Sequence, residues 1–435
     1  MERFALSRMK EWKENENRKP LIIRGARQVG KTWIMKTFGQ QYFEKTAYVN
    51  FDNNARMKQV FEGDLDIERL VLAISAETGV SIEAENTLII FDEVQEVPKA
   101  LTSLKYFHEN APQYAIVAAG SLLGVALHQG TSFPVGKVDF LDLYPLNFRE
   151  FLCAMGEKQF VSMLDSCDTQ MVTVFKTKYI ERLREYYFVG GMPEVVKDFS
   201  EKKDYNRVRA IQKNLINYYQ QDFSKHAEIK LVPRLNLVWN SIPMQLAKEN
   251  KKYIYEQVRE GSRAKDFELA IQWLLDCGLI HKVQRIQKPD LPLKAYIDFD
   301  AFKLFLVDIG LLIAMTDLDA KVIIEGNKIF TEFKGSLTEQ YILQQLISDV
   351  GVIPYYYSTQ NSKGEIDFLV QGKTSVIPIE VKAEENLKAK SLKAFCEKYQ
   401  PSYAVRTSMS DYREQDWMTN IPLYAIKWIE NYVNQ

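Results

Sequence analysis

One stretch, in which an apolar run meets a glycine-bounded loop, constrains the fold more than any other. Leu21-Ile22-Ile23-Arg24 leads into Gly25-Ala26-Arg27-Gln28-Val29-Gly30-Lys31-Thr32, which fits the pattern G-x-x-x-x-G-K-[ST]. Glycines at the two ends let the backbone curl around an anion with its N–H groups pointing inward. The alternative is a glycine turn that matches by chance. A helix-compatible run, Trp33 to Phe38, follows at once, so the context favours a phosphate-binding loop.

The pattern assigns a candidate role to every residue of this loop. Lys31 is predicted to reach the β- and γ-phosphates and the Thr32 hydroxyl to hold Mg²⁺, while the dipole of the following helix adds partial positive charge. The candidate nucleotide-binding residues are Gly25, Ala26, Arg27, Gln28, Val29, Gly30, Lys31 and Thr32.

A second signal lies at the end of an unbroken apolar strand, Thr87 to Phe91, which is followed by Asp92 and Glu93. Ligands of parallel sheets lie at the carboxyl ends of the strands, so Asp92 is expected beside the Mg²⁺ and Glu93 near the attacking water. The next strand ends at Ser121, a candidate γ-phosphate sensor. The plainer alternative is that these polar residues only begin loops.

Length and composition set the remaining bounds. A chain of 435 residues with 46% hydrophobic residues suggests about two to four folded domains. The formal net charge of −1 gives no overall bias toward nucleic acid or membranes. The four cysteines are scattered, and no run reaches the roughly 18 apolar residues that span a bilayer. We therefore predict a cytoplasmic protein with reduced cysteines and no membrane association.

Several motifs together resemble a known family. They are Lys19-Pro20-Leu21 before the loop, Phe91-Asp92-Glu93-Val94-Gln95, Gly120-Ser121, Tyr144-Pro145-Leu146-Asn147-Phe148-Arg149-Glu150-Phe151 and Gly190-Gly191-Met192-Pro193-Glu194. With these pieces the chain resembles prokaryotic AAA-type ATP-binding proteins that carry an uncharacterised C-terminal domain with a restriction-endonuclease-like core. The resemblance implies ATP and Mg²⁺ as ligands, and ATP hydrolysis as the activity.

One position departs from that family pattern. Such ATPases usually show a Gly-Arg pair before the Pro-Leu-x-Phe-x-Glu-Phe segment, whereas this chain has Gly136-Lys137. A lysine carries the charge but lacks the planar fork with which arginine clamps a phosphoryl transition state. Lys137 and Arg149 are therefore both candidates for the arginine-finger role.

The middle of the chain is predicted to be helical and then winged-helix-like. Residues 201–294 hold 18 Lys and Arg against 11 Asp and Glu, so this block is locally basic. Arg263 to Ile280 reads as a helix closed by glycine and followed by a strand, which resembles the last helix and wing of a winged helix. Arg263 and Lys265 would then face DNA, or the unit would serve only as a packing module.

The C-terminal part carries the second chemical signal. Ile366 to Val370 and Val376 to Lys382 alternate like two strands of a hairpin, which would bring Asp367 near Glu380. A helix before them could contribute Glu339. Acid, then Asp, then Glu-x-Lys is the order of PD-(D/E)XK nucleases, in which the acids hold a divalent ion and the lysine, here Lys382, orients water. The alternatives are a solvated strand face and a nuclease-like fold without activity.

These observations predict an α/β protein with four parts. They are a parallel-sheet P-loop ATPase domain of the AAA type at 1–155, a helical lid or linker at 156–225, a winged-helix-like domain at 226–325 and a nuclease-like domain at 326–435. The expected ligands are ATP and Mg²⁺ at the loop and a second Mg²⁺ or Mn²⁺ held by Glu339, Asp367 and Glu380. The expected catalytic residues are Glu93, Lys31, Ser121 and Lys382.

Two functions follow from this prediction. The first is an Mg²⁺-dependent ATPase that drives or gates a C-terminal DNA-binding or nuclease-like module. The alternative is a nucleotide-switched binding or signalling protein whose nuclease-like domain is catalytically inactive. DNA is the expected macromolecular partner, and a homo-oligomer remains open.

Overall fold

The computed structural model describes residues 1–120, 134–248, 252–324, 331–359, 364–384 and 389–435. The chain forms two compact units. The first unit comprises Glu2–Tyr144 with Asp276–Leu279, and the second comprises Met1, Pro145–Leu275 and Ile280–Gln435. The four-part division stays a prediction. No helix of the described ranges is both long and apolar enough to cross a bilayer.

The first unit is built on a five-stranded sheet in the order β2-β3-β4-β1-β5, and every neighbouring pair in it is parallel. The predicted parallel α/β architecture is confirmed. The strands are β1 (Leu21–Arg24), β2 (Lys45–Asn50), β3 (Thr87–Asp92), β4 (Ala115–Ala119) and β5 (Asp139–Asp142). The helices are α1 (Ala5–Glu14), α2 (Lys31–Tyr42), α3 (Ala55–Glu62), α4 (Ile67–Thr78) and α5 (Pro98–Asn110).

Two inner strands of this sheet, β3 and β4, are fully buried. Every residue of β3 and β4 is buried, as expected for apolar strands covered on both faces.

The helical stretch predicted between Met57 and Thr78 is divided into α3 and α4 instead. Gly63 ends α3, and the Asp66 carboxylate accepts a hydrogen bond from the Arg69 N–H to begin α4.

The second unit opens with a long series of helices, as the sequence predicts for residues 156–225. The helices before its sheet are α6 (Phe148–Ala154), α7 (Lys158–Asp165), α8 (Thr169–Val174), α9 (Lys176–Val189), α10 (Pro193–Lys202), α11 (Tyr205–His226), α12 (Val232–Leu246) and α13 (Ala264–Asp276). The later helices are α14 (Ile309–Met315), α15 (Ala320–Ile324), α16 (Thr331–Gln345), α17 (Lys390–Tyr399) and α18 (Glu430–Val433).

The second unit also contains an eight-stranded mixed sheet in the order β12-β13-β11-β10-β9-β8-β6-β7. The strands are β6 (Ile280–Ile286), β7 (Ile297–Leu306), β8 (Tyr355–Ser358), β9 (Glu365–Gln371), β10 (Val376–Val381), β11 (Val405–Ser408), β12 (Arg413–Gln415) and β13 (Met418–Pro422). The hairpin predicted around the Gly372-Lys373 turn is present, because β9 and β10 pair antiparallel with Ile379 opposite Phe368.

The predicted wing has a different setting from the one expected. The helix, the Gly278 turn and the strand occur as predicted, and β6 pairs antiparallel with β7. However, β6 also pairs in parallel with β8, so both strands belong to the same sheet as the C-terminal strands. The boundary predicted at 325/326 thus separates strands that share one sheet, and a separate winged helix is not confirmed.

The Pro-Leu-x-Phe-x-Glu-Phe segment forms a local structure at the start of the second unit. Asn147 and Glu150 make a capping box that begins α6, with hydrogen bonds of 2.8 and 3.2 Å. The Phe148 N–H donates to the Gln345 side chain at 2.8 Å. The motif therefore serves to begin a helix and attach it to α16.

The Gly190-Gly191 pair permits a close approach of backbones in the same unit. A Cβ on Gly191 would lie 2.1 Å from the Leu146 carbonyl oxygen, and one on Gly190 would lie 2.2 Å from Oδ1 of Asp308. The Gly191 N–H donates to the other Asp308 oxygen at 2.6 Å. Because side chains would prevent these contacts, both positions require glycine.

Candidate functional site

The loop after β1 has the backbone shape that the sequence predicts for a phosphate cradle. Gly25 has φ of +145°, and a Cβ there would lie 2.1 Å from the Leu143 carbonyl oxygen. Gly30, with φ of +96°, is the residue from which α2 begins, and Gln28 also has a positive φ of 64°. The first N–H groups of α2 have no acceptor within their own helix, so this end can bind an anion.

The Lys31 ammonium is held inside the loop. Its Nζ donates to the carbonyl oxygens of Gly25 at 2.8 Å and Ala26 at 2.7 Å, and the side chain is buried. Burial lowers the pKa of Lys31 to about 8, although the Glu93 and Asp92 carboxylates act in the opposite direction. The ammonium is thus positioned by the same loop whose bound phosphate it would neutralise.

Asp92 and Thr32 meet as the sequence predicts. The Thr32 hydroxyl donates to Oδ2 of Asp92 at 2.7 Å, so the loop and the carboxyl end of β3 are in direct contact. Oδ1 of Asp92 accepts the Glu93 N–H at 3.1 Å. A hydroxyl and a carboxylate in contact offer the hard oxygen ligands that Mg²⁺ prefers.

Tyr48 is a member of the site that the sequence reasoning missed. Its hydroxyl donates to the same Oδ2 of Asp92 at 2.9 Å, and the Lys36 ammonium lies 3.7 Å from the centre of its ring. Burial and then the Asp92 charge raise the pKa of Tyr48 above its ordinary value, so the phenol remains a donor. The only sequence signal is a tyrosine near the carboxyl end of a strand.

Glu93 occupies an uncommon backbone conformation. Its φ of 50° and ψ of 44° are left-handed, which is rare for a residue other than glycine. The Gln95 side chain donates to the Glu93 carboxylate at 2.7 Å. Backbone strain of this kind is concentrated at functional sites, where the surrounding structure maintains it.

Three further candidates have separate outcomes. Ser121, the predicted γ-phosphate sensor, lies outside the described residues. Lys137 forms an ion pair of 2.9 Å with Glu109 in the first unit. Arg149 belongs to the second unit and is mostly buried, with ion pairs to Asp349 at 2.8 Å and Asp165 at 2.5 Å. Both cations thus have carboxylate partners within their own units.

The residues of the loop fit a nucleoside triphosphate with Mg²⁺ on three grounds. They supply a loop in which the positive φ of Gly25 and Gly30 lets the backbone curl around an anion, a helix N-terminus with N–H donors, and the lysine ammonium. Thr32 and Asp92 add the oxygen donors for the metal. The parallel sheet and the loop that follows its first strand are the features expected of a P-loop domain.

The C-terminal acids predicted as metal ligands have hydrogen-bond and ion-pair partners within the fold. Within the described ranges, no group of three or more His, Cys, Asp or Glu side chains is arranged to hold a metal ion. Glu380 is buried and pairs with Lys382 at 2.9 Å, while Oδ2 of Asp367 accepts the Val381 N–H at 2.7 Å. The second divalent ion is therefore unsupported, and the assignment of Glu339, Asp367 and Glu380 as its ligands stays a prediction.

A lysine that the sequence analysis did not consider lies among these acids. Lys303 of β7 is fully buried, with its Nζ 2.5 Å from Oε1 of Glu365 and 3.7 Å from Oε2 of Glu339. Glu339 is therefore paired with an ammonium within the fold. This cation already neutralises part of the carboxylate cluster.

Comparison with known families agrees with the class that the loop defines. Residues 17–152 match the family model described as an AAA domain, which supports a P-loop ATPase of the AAA type. Residues 180–322 match a domain of unknown function (DUF8612), and residues 334–426 match another domain of unknown function (DUF4143).

Solved structures give weaker likenesses. The Walker-type ATPase Paby2304 of Pyrococcus abyssi is 15% identical, with a TM-score of 0.44 over 72% of this chain and 95% of its own. The Orc1 protein of Aeropyrum pernix, in complex with DNA, is 13% identical, with a TM-score of 0.27 over 72% of this chain and 91% of its own. Cdc6p of Pyrobaculum aerophilum is 10% identical, with a TM-score of 0.25 over 74% of this chain and 93% of its own. No curated protein matches the chain.

Proposed function

We propose that the chain is an Mg²⁺-dependent ATPase whose nucleotide state controls a binding module in its C-terminal part. The observation that carries the proposal is the hydrogen bond of 2.7 Å from Thr32 to Asp92, next to a loop of the required shape. The match of residues 17–152 to an AAA domain supports nucleotide binding by this loop.

The proposed roles follow from chemistry. The backbone of residues 25–32 binds the phosphates, Lys31 exchanges its carbonyl partners for phosphate oxygens, and Thr32 and Asp92 hold Mg²⁺ directly or through water. Glu93 positions and polarises the attacking water, with Gln95 holding one of its oxygens. Ser121 is retained as the proposed γ-phosphate sensor, although it lies outside the described residues.

The test compares nucleotide binding and turnover in the wild type and two variants. Lys31→Ala is expected to abolish tight ATP binding, because the phosphate charge loses its ammonium partner. Glu93→Gln is expected to bind ATP normally and to hydrolyse it roughly 100-fold or more slowly, since a general base contributes about that much. A wild type that neither binds nor hydrolyses ATP would contradict the proposal.

For the C-terminal part, one observation favours a binding role over cleavage. Glu339 and Asp367, predicted as metal ligands, lie near the buried Lys303 ammonium, whose pKa both acids raise. We therefore propose that this part binds DNA or a protein and that ATP hydrolysis resets the binding. Binding that depends on nucleotide state and persists in Asp367→Asn would support this role, whereas metal-dependent DNA cleavage lost in that variant would refute it.

A further inference from the structure

The cluster around Lys303 is assembled from three separate elements of the second unit. Lys303 lies on β7, Glu365 and Asp367 lie on β9, and Glu339 lies on α16. Glu365 and Asp367 are two residues apart on one strand, so their side chains leave the same face of the sheet. Lys303 Nζ donates to Glu365, and the ring centre of Tyr356 is 4.8 Å from the same nitrogen.

The charge of Lys303 is maintained by these neighbours. Its Nζ lies 2.5 Å from Oε1 of Glu365 and 3.7 Å from Oε2 of Glu339, so two carboxylates face the buried ammonium at ion-pair distance. A fully buried ammonium is stable only with such counterions and hydrogen bonds. Lys303 and the three acids are therefore one mutually dependent charge cluster.

Glu380, the remaining predicted metal ligand, has a different cation as its partner. It forms an ion pair of 2.9 Å with Lys382. Arg406 is buried and donates from Nε to the Asn420 side chain at 2.9 Å. Glu380 thus has Lys382 as its ion-pair partner, and this pair is separate from the contacts of Lys303.

A divalent ion needs several carboxylate oxygens directed at one point, at about 2.0 to 2.6 Å from the metal. In this cluster, the point between Glu339 and Glu365 lies next to the Lys303 ammonium. A second cation there would be repelled by the first, and moving Lys303 away would leave a buried ammonium without its counterions.

We propose that Lys303 is the resident cation of this cluster, with its ammonium taking the place among Glu339, Glu365 and Asp367 that a divalent ion would otherwise occupy. The inference rests on the proposed binding role of the C-terminal part, and its failure would leave the ATPase proposal intact. It implies that this part engages its ligand without a metal.

The test counts Mn²⁺ ions bound to the full chain without nucleotide, by electron paramagnetic resonance of the free ion. Lys303→Met removes the ammonium but keeps an unbranched side chain, and it is expected to gain one Mn²⁺ per chain relative to the wild type. Lys303→Arg keeps the charge and is the matched control with no gain. Adding Glu339→Gln to Lys303→Met should abolish the gained site.

A second comparison keeps the inference testable if Lys303→Met does not fold. Wild type and the single variant Glu339→Gln should bind the same number of Mn²⁺ ions, because the Glu339 carboxylate pairs with the Lys303 ammonium and binds no metal ion. A lower count in Glu339→Gln would overturn the inference. A folded Lys303→Met protein that binds no additional Mn²⁺ would overturn it as well.

Discussion

The Thr32 hydroxyl donates to Oδ2 of Asp92 at 2.7 Å, which joins the phosphate loop to the end of the third strand. Thr32→Val keeps the shape of the side chain but removes this donor and the proposed metal ligand. Since a hydrogen bond to a charged group contributes about 1.5 to 3 kcal/mol, we expect MgATP affinity to fall roughly tenfold or more. Fluorescent-nucleotide titrations with and without Mg²⁺ measure the effect.

The control for this prediction lies on the same helix. Thr37→Val changes a partly buried threonine of α2 outside the loop and should leave MgATP affinity unchanged. In Thr32→Val, the affinity for ATP without Mg²⁺ should also be nearly unchanged. Equal losses with and without the metal would show that Thr32 supports the loop and not the ion.

Tyr48→Phe tests whether the second donor to Asp92 positions the metal-side carboxylate. Loss of the 2.9 Å hydrogen bond leaves Oδ2 less constrained, and a hydrogen bond of about 1 kcal/mol corresponds to roughly a fivefold effect. We expect the Mg²⁺ concentration at half-maximal ATPase activity to rise by about that factor. Tyr106→Phe, at a half-buried tyrosine of α5, is the control. A changed kcat with unchanged Mg²⁺ dependence would argue against this role.

The pKa of Lys31, lowered by burial to about 8, predicts a pH dependence of nucleotide binding. Below pH 8 the ammonium is charged and ready for phosphate. Above it, binding must first restore the proton, so ATP affinity should fall and proton uptake should rise as pH increases from 7 to 9. Calorimetric titrations in buffers of different ionisation enthalpy measure the uptake.

Lys31→Arg provides the comparison, because a guanidinium stays charged throughout this range. Its ATP affinity is expected to be weaker than that of the wild type at pH 7 but flat between pH 7 and 9. A wild-type affinity that is equally flat would contradict the lowered pKa.

Asp308 predicts a pH dependence of stability in the second unit. Burial raises its pKa to about 6, despite hydrogen bonds from Gly191 and Leu311. The folded protein therefore holds this proton more tightly than the unfolded chain does. Its stabilising effect is complete below about pH 4 and is lost as pH rises to about 6, a change of about 3 kcal/mol for two pKa units.

Urea unfolding between pH 4 and 7, followed by tryptophan fluorescence, would detect this loss. Asp308→Asn removes the titrating group, so the free energy of unfolding should decline less between pH 4 and 7. Part of the pH dependence of stability should remain in this variant, because burial also raises the pKa of Asp349 to about 6. The exposed Asp416→Asn serves as the control and should retain the full wild-type slope.

The parts of the site that the sequence predicted are those defined by local chain geometry. The glycines, Lys31 and Thr32 lie within one continuous loop, and Asp92 follows directly from the end of a buried strand. A parallel sheet then brings the ends of its strands to the same edge, so their meeting requires no knowledge of distant contacts. The hairpin of β9 and β10 was predictable for the same reason.

The parts that the sequence did not predict depend on non-local pairing. Strand β6 lies beside β8 although about 70 residues separate them along the chain, and no local pattern encodes that choice. Lys303 shows the same limit, because an isolated lysine in an alternating strand normally indicates a solvent-facing position. Only the three acids brought to it by other elements explain why it is buried.

Helix α16 gives a further example. Gln340 uses both ends of its amide on β7, accepting the Leu306 N–H at 3.0 Å and donating to the Leu306 carbonyl at 2.7 Å. Gln344 likewise accepts the Ile309 N–H at 3.1 Å. Glutamine has no periodic signature for such a role, so sequence patterns treat these buried residues as surface positions.

The left-handed conformation of Glu93 lowers the stability of the fold at the position of the proposed catalytic base. A residue with a Cβ in this conformation costs of order 1 kcal/mol or more, whereas glycine adopts it freely. Glu93→Gly should therefore raise the melting temperature of the first unit while slowing ATP turnover roughly 100-fold or more, and a lowered melting temperature would contradict this. A search for more heat-resistant variants would then select against the proposed catalytic base, so thermal tolerance alone would be a misleading guide to a working protein.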